Sequence, residues 1–135
     1  MLGEMIGEER GQITGMRVLP SEAGMPRIEA SFQASGRLLD TEMTDLGTYW
    51  SVARPDGTFF GSGQGLIVTS DGEMINWTGH GVGRPSGHGM AVSWRGAIYY
   101  RTTAPKFARL NGVAIVFEYE TDESGQTHAR IWEWK

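Results

Sequence analysis

The chemistry this sequence offers is concentrated in Trp50, Gln64, Asn76, His80, Trp94, Arg109 and Asn111. Placed on alternating strands, these residues gather amide, imidazole and guanidinium groups against indole rings, with Thr78 and Trp132 beside them. Apolar walls with a few convergent polar groups make the composition of a small-molecule pocket. In the expected pairing Gln64 lies opposite Thr78, Ser62 opposite His80, and His80 opposite Trp94, while Asn76 and Asn111 both fall opposite Ile98. The same groups could instead satisfy one another, or hold a water, in a purely structural network.

Within this band only His80 exchanges a proton near neutral pH. A general base of that kind needs an orienting carboxylate, and the expected inward set places no Asp or Glu near it, so no catalytic residue is assigned. His80, His88 and His128 fall on different elements without metal-ligand spacing, and neither a metal nor another cofactor is expected. The absence of cysteine removes thiol catalysis, disulfides and thiolate zinc sites.

Strands must position these groups. Twenty glycines in 135 residues, together with β-branched and aromatic clusters, interrupt every helical periodicity. Pro20, Pro26, Pro55, Pro85 and Pro105 fall between period-2 runs, where a missing amide donor does least harm. Asp56-Gly57, Asp71-Gly72 and Asp122-Glu123-Ser124-Gly125 supply turn chemistry. Eight strands are expected, at about 8–18, 27–38, 43–54, 58–69, 73–84, 90–102, 107–121 and 126–135. Regular spacing and short loops imply an all-β, eight-stranded antiparallel up-and-down barrel, lipocalin-like in layout, formed by one domain over residues 1–135.

Following the faces from turn to turn puts Leu46, Trp50, Val52, Phe60, Leu66, Val68, Met74, Val82, Trp94, Ile98, Ile115, Phe117, Trp132 and Trp134 inside. Asp45, Gly61, Gly63, Gly65, Ile67, Ile75, Trp77, Gly79 and Gly81 then fall outside. On that register the glycines of 61–65 and 79–83 lie across from each other and let the sheet coil, with Trp77 covering the bare backbone of Gly65. A phosphate-binding loop would need a helix start and a Lys-Ser/Thr pair after the glycines, and neither follows.

Twelve Lys+Arg against 16 Asp+Glu, scattered along the chain, form no basic patch, so nucleic acid is not an expected partner. The longest apolar run, Val113 to Phe117, is far short of the ~20 residues a membrane-crossing helix needs. No membrane partner is expected. Residues 1–11 lack a basic stretch and an apolar core, so a secretory signal is not expected and a cytoplasmic location is the default.

The order of Phe60-Gly61-Ser62-Gly63-Gln64-Gly65, Trp77-Thr78-Gly79, Ser93-Trp94-Arg95-Gly96, Phe117-Glu118-Tyr119-Glu120 and Ile131-Trp132-Glu133-Trp134 resembles small uncharacterised prokaryotic barrel proteins. These in turn look like the allene oxide cyclase and dirigent type of eight-stranded barrel. The resemblance implies the barrel and a homo-oligomer, dimer or trimer, and matches no cyclase active-site residue one by one. An apolar outer set of Ala91, Ala97, Leu110, Ala114, Val116 and Ile131 also points to a subunit interface. The functional expectation is a barrel that binds a small, partly apolar ligand; the alternatives are a cyclase or isomerase on the same scaffold and a ligand-free structural homo-oligomer.

Overall fold

The computed structural model describes residues 2–135. Eight strands, β1 (Leu2–Glu22), β2 (Met25–Leu38), β3 (Thr41–Ala53), β4 (Phe59–Thr69), β5 (Met74–Pro85), β6 (Val92–Arg101), β7 (Ile115–Thr121) and β8 (Gln126–Trp134), pair in chain order. β1 also pairs with β8, closing an antiparallel barrel that leaves no free edge. No helix among the described residues is long and apolar enough to cross a membrane.

The turns follow from local chemistry. Gly57, Gly72 and Gly125 hold the left-handed position of the three loops that their Asp-containing sequences announce. Two further hairpins close without such a signature: Ala23-Gly24 and Leu39-Asp40 have positive φ at both residues, the pattern of a two-residue turn matched to strand twist.

One expected strand is corrected. Residues 107–121 are not continuous: Pro105–Leu110 form a 3-10 helix, η1, and β7 begins only at Ile115. Pro105 stands at the start of η1, and a three-residue repeat puts Phe107 and Leu110 on one face of it. Both are fully buried, in a cluster with Ile6, Leu38, Met43, Ile67, Ile75, Tyr100 and Ile115 that plugs one end of the barrel.

The faces also need correction. Pairing of β3 with β4 and of β4 with β5 is as expected, with Gln64 opposite Thr78 and Ser62 opposite His80. Between β5 and β6 the partner of Trp94 is Gly83, and His80 faces Ala97. An odd offset of three residues turns every side chain of a strand to the other side of the sheet. Asp45, Ile67, Ile75, Trp77 and the glycines of β4 and β5 therefore point inward, while Leu46 and Met74, 48% and 60% exposed, lie outside. β8 is offset too: Ile131 and Glu133 are buried, and Trp134 is exposed. Of the expected interface residues, Ala97, Ala114 and Val116 stay half-buried, Ala91 is buried, and Leu110 and Ile131 belong to the buried core cluster.

Candidate functional site

The inner glycines make room for rings. A Cβ on Gly65 would sit 2.3 Å from the Trp77 indole, and one on Gly47 2.3 Å from the Phe32 ring. Gly61 and Gly83 likewise leave space for Trp94, at 2.9 Å. Rings projecting from other strands occupy that space. Phe32 lies 5.6 Å from Tyr119 and 6.3 Å from both Tyr49 and Trp77, centroid to centroid. Tyr49 meets Trp94 edge-on at 5.9 Å and Tyr119 at 5.7 Å. These separations fall within the favourable range for aromatic pairs.

Two carboxyl groups enter this aromatic lumen. Glu9 of β1 and Asp45 of β3 share a side-chain hydrogen bond. Trp77 Nε1 donates to Asp45 Oδ1 across 2.8 Å. Burial raises the proton affinity of both acids. For Glu9 the neighbouring charge of Asp45 adds to burial and holds its pKa well above the ordinary 4.5. For Asp45 the hydrogen bonds from Glu9 and Trp77 oppose burial. Both carboxyls therefore hold a proton more tightly than an ordinary acid, Glu9 the more strongly. Burial also pushes the hydroxyls of Tyr49, Tyr100 and Tyr119 upward, so these phenols stay neutral; the two carboxyls add to the shift at Tyr100 and Tyr119.

Glu9, Asp45, Tyr49, Trp77, Trp94 and Tyr119 all line an inner cavity of about 90 Å³. A second cavity of about 150 Å³ lies toward the end away from the plug, among Ile13, Met16, Ile28, Phe59, Met90 and Thr121.

Of the residues expected to line a pocket, Trp94, 6% exposed, is inside, and His80 borders the inner cavity from an exposed position on β5. Trp50 is on the outer surface beside Phe60, with the Arg27 guanidinium 5.2 Å above its ring. Gln64 and Asn76 are exposed but remain neighbours, sharing a shallow outer concavity with Thr48 and Thr78. His80 is exposed and stacks on Phe60 at 6.1 Å. Arg109 sits in η1, where it donates to Glu133 Oε1 at 2.7 Å and ties the plug to the barrel wall. Asn111 accepts from the Thr102 amide and donates to its carbonyl, both at 3.0 Å. The inward placement of these six is overturned by the same odd offsets, and for Arg109 and Asn111 by the helix that replaces the start of β7.

The lumen residues Glu9, Asp45, Tyr49, Trp77 and Tyr119 were missed in the sequence. A usable signal was present: Gly7-x-Glu9-x-Gly11 and Asp45-x-Gly47 place each acid two residues from glycines, on the face where bulky neighbours need space.

No family model matches this chain, and no curated protein matches it either. Solved structures do. A protein of unknown function from Clostridium acetobutylicum ATCC 824 superposes with a TM-score of 0.83 at 14% identity, covering 98% of each chain. A beta-barrel like protein from Acinetobacter baumannii AYE gives 0.84 at 14% identity, over 100% of this chain and 96% of that one. A structure described as an enzyme from Penicillium herquei gives 0.68 at 18% identity, over 96% and 92%. At these identities the likeness is one of fold.

Proposed function

We propose that the lumen binds a small uncharged molecule and moves a proton on it, with Glu9 as the acid and Asp45 as its anionic partner. The observation that carries this reading is the hydrogen-bonded Glu9 and Asp45 pair lining an aromatic cavity. Burying two carboxyl groups costs stability that apolar side chains would spare, and strongly shifted acids concentrate where proton transfer is needed.

The shared proton also constrains the reaction. Donation by Glu9 leaves two adjacent anions in a poorly solvated site, so the substrate must return a proton within the same turnover. Isomerisation and ring closure satisfy this, because each takes a proton at one position and gives one back at another. Phe32, Trp77 and Tyr119 would supply the walls that hold a flat substrate. The fold likeness to a structure described as an enzyme agrees with a catalytic role.

A filled structural barrel is the second reading. It is favoured by the inner cavity itself, whose 90 Å³ is below the ~300 Å³ typical of small-molecule sites. Carboxyl-carbon NMR of the labelled protein separates the two. One of the two carboxyls should stay protonated at neutral pH, and its signal should be lost in Glu9→Gln. Ordinary titration of both acids, with no small molecule retained in the native mass spectrum, overturns the proposal and leaves the filled barrel.

A further inference from the structure

The two cavities share two lining residues, Tyr49 and Trp94. Resting on the function proposed above, we infer that these rings are a displaceable partition, and that the ligand is an elongated, flat, uncharged molecule entering past Met16 and Met90. Phe107 and Leu110 seal the opposite end without residual exposure, so the acids are reached from the Met90 side.

The partition is built to yield. The polar tie of Tyr49 to Tyr119 is a hydroxyl contact of 3.5 Å, at the limit of a hydrogen bond, and its other contacts there are ring edges. Trp94 packs against the bare backbone of Gly61 and Gly83, so no side chain at either position stands in the path of the ring. Met16, 52% exposed, and Met90 place flexible thioethers at the entrance. With the rings swung aside the two spaces become one channel, leading from an apolar rim to the protonated Glu9.

Charge selects the ligand class. Among the described residues no Lys or Arg lines either cavity, and the inner one holds the two acids Glu9 and Asp45, with His80 at its border. An anionic head would meet repulsion with no counter-charge, whereas a carbonyl or hydroxyl can accept from Glu9 and a hydroxyl can donate to Asp45. The shape is planar because the walls are ring faces.

The test uses 2-naphthol and its anionic analogue 2-naphthalenesulfonate as probes, titrated into wild type, Trp94→Ala, Met16→Trp and Glu9→Gln. Removing the partition in Trp94→Ala should tighten 2-naphthol binding about tenfold, because the closed population no longer lowers the apparent affinity. Met16→Trp, altered at an exposed rim position, should slow binding, and the sulfonate should bind far more weakly throughout. Unchanged affinity in folded Trp94→Ala together with an unchanged rate in Met16→Trp, or sulfonate binding equal to naphthol, overturns the inference. The function proposed above fails separately: 2-naphthol would then bind Glu9→Gln as well as wild type and leave both carboxyl signals unmoved.

Discussion

Trp77 holds Asp45 by a 2.8 Å hydrogen bond while its indole lies over the bare backbone of Gly65. One residue thus couples the barrel's polar centre to its glycine pattern. The ring can lie flat against the wall only because Gly65 has no side chain, and from there its N–H reaches the buried acid.

Gly65→Ala should therefore destabilise the protein by about 1–3 kcal/mol, the usual cost of overpacking a core. The added methyl would sit 2.3 Å from the indole, so Trp77 must move and its bond to Asp45 must lengthen. Trp77→Phe should cost a similar ~1–3 kcal/mol by leaving a buried acceptor short of its donor. Chemical denaturation measures both. If Gly65→Ala is neutral, the ring is not confined as described.

Stability should fall as pH rises above the ordinary carboxylate range. Glu9 binds its proton more tightly when folded than when unfolded, so its contribution is complete below about 4.5 and declines as pH climbs toward the raised folded value. The slope is at most about 1.4 kcal/mol per pH unit for one proton. Glu8, Asp56, Asp71 and Asp122, with lowered values, act in the opposite sense and only in acid. Glu9→Gln should flatten the slope and be the more stable protein at alkaline pH. Urea unfolding between pH 5 and 9 would contradict this if the variant and wild type ran parallel.

Gln64→Ala, Asn76→Ala and His80→Ala should each change stability by no more than about 0.5 kcal/mol, since all three side chains lie on the outer surface. Arg109→Ala should behave differently. Glu133 is 6% exposed, and its Oε2 already lacks a hydrogen-bond partner, so removing the bond to Oε1 leaves a buried carboxylate unsatisfied at about 1–3 kcal/mol. Thermal melts of the four variants would refute this if His80→Ala proved the most damaging.

Phe107→Ala should cost about 3–5 kcal/mol, because a fully buried ring at the centre of the plug leaves a hole that its neighbours cannot close. Hydrogen exchange should quicken in η1 and around Ile6, Leu38 and Ile115. Protection unchanged there would show that η1 is not what seals this end.

Strand number, the all-β class, the barrel and three of the glycine turns were legible in the sequence, because period-2 runs, proline positions and Asp-Gly turns act over a few residues. Chain-local signals also determined the register of β3, β4 and β5, where short loops leave one pairing. The side that faces inward was decided only by closure. The loop around residues 86–91 does not dictate an offset, the turn at 122–125 admits a one-residue slip, and a shift of one or three residues reverses a face at no local cost. Hydrophobicity then misled: Leu46, Trp50, Leu66 and Val68 read as an interior, whereas the true inner surface of β4 and β5 is rich in glycine, because rings from Phe32, Trp77 and Trp94 fill it. Glu9 and Asp45, 36 positions apart in the chain, meet only because β1 and β3 both flank β2 on a curved wall. Neither acid shows its shifted proton affinity alone, since burial by the other strands and the charge of its partner create it.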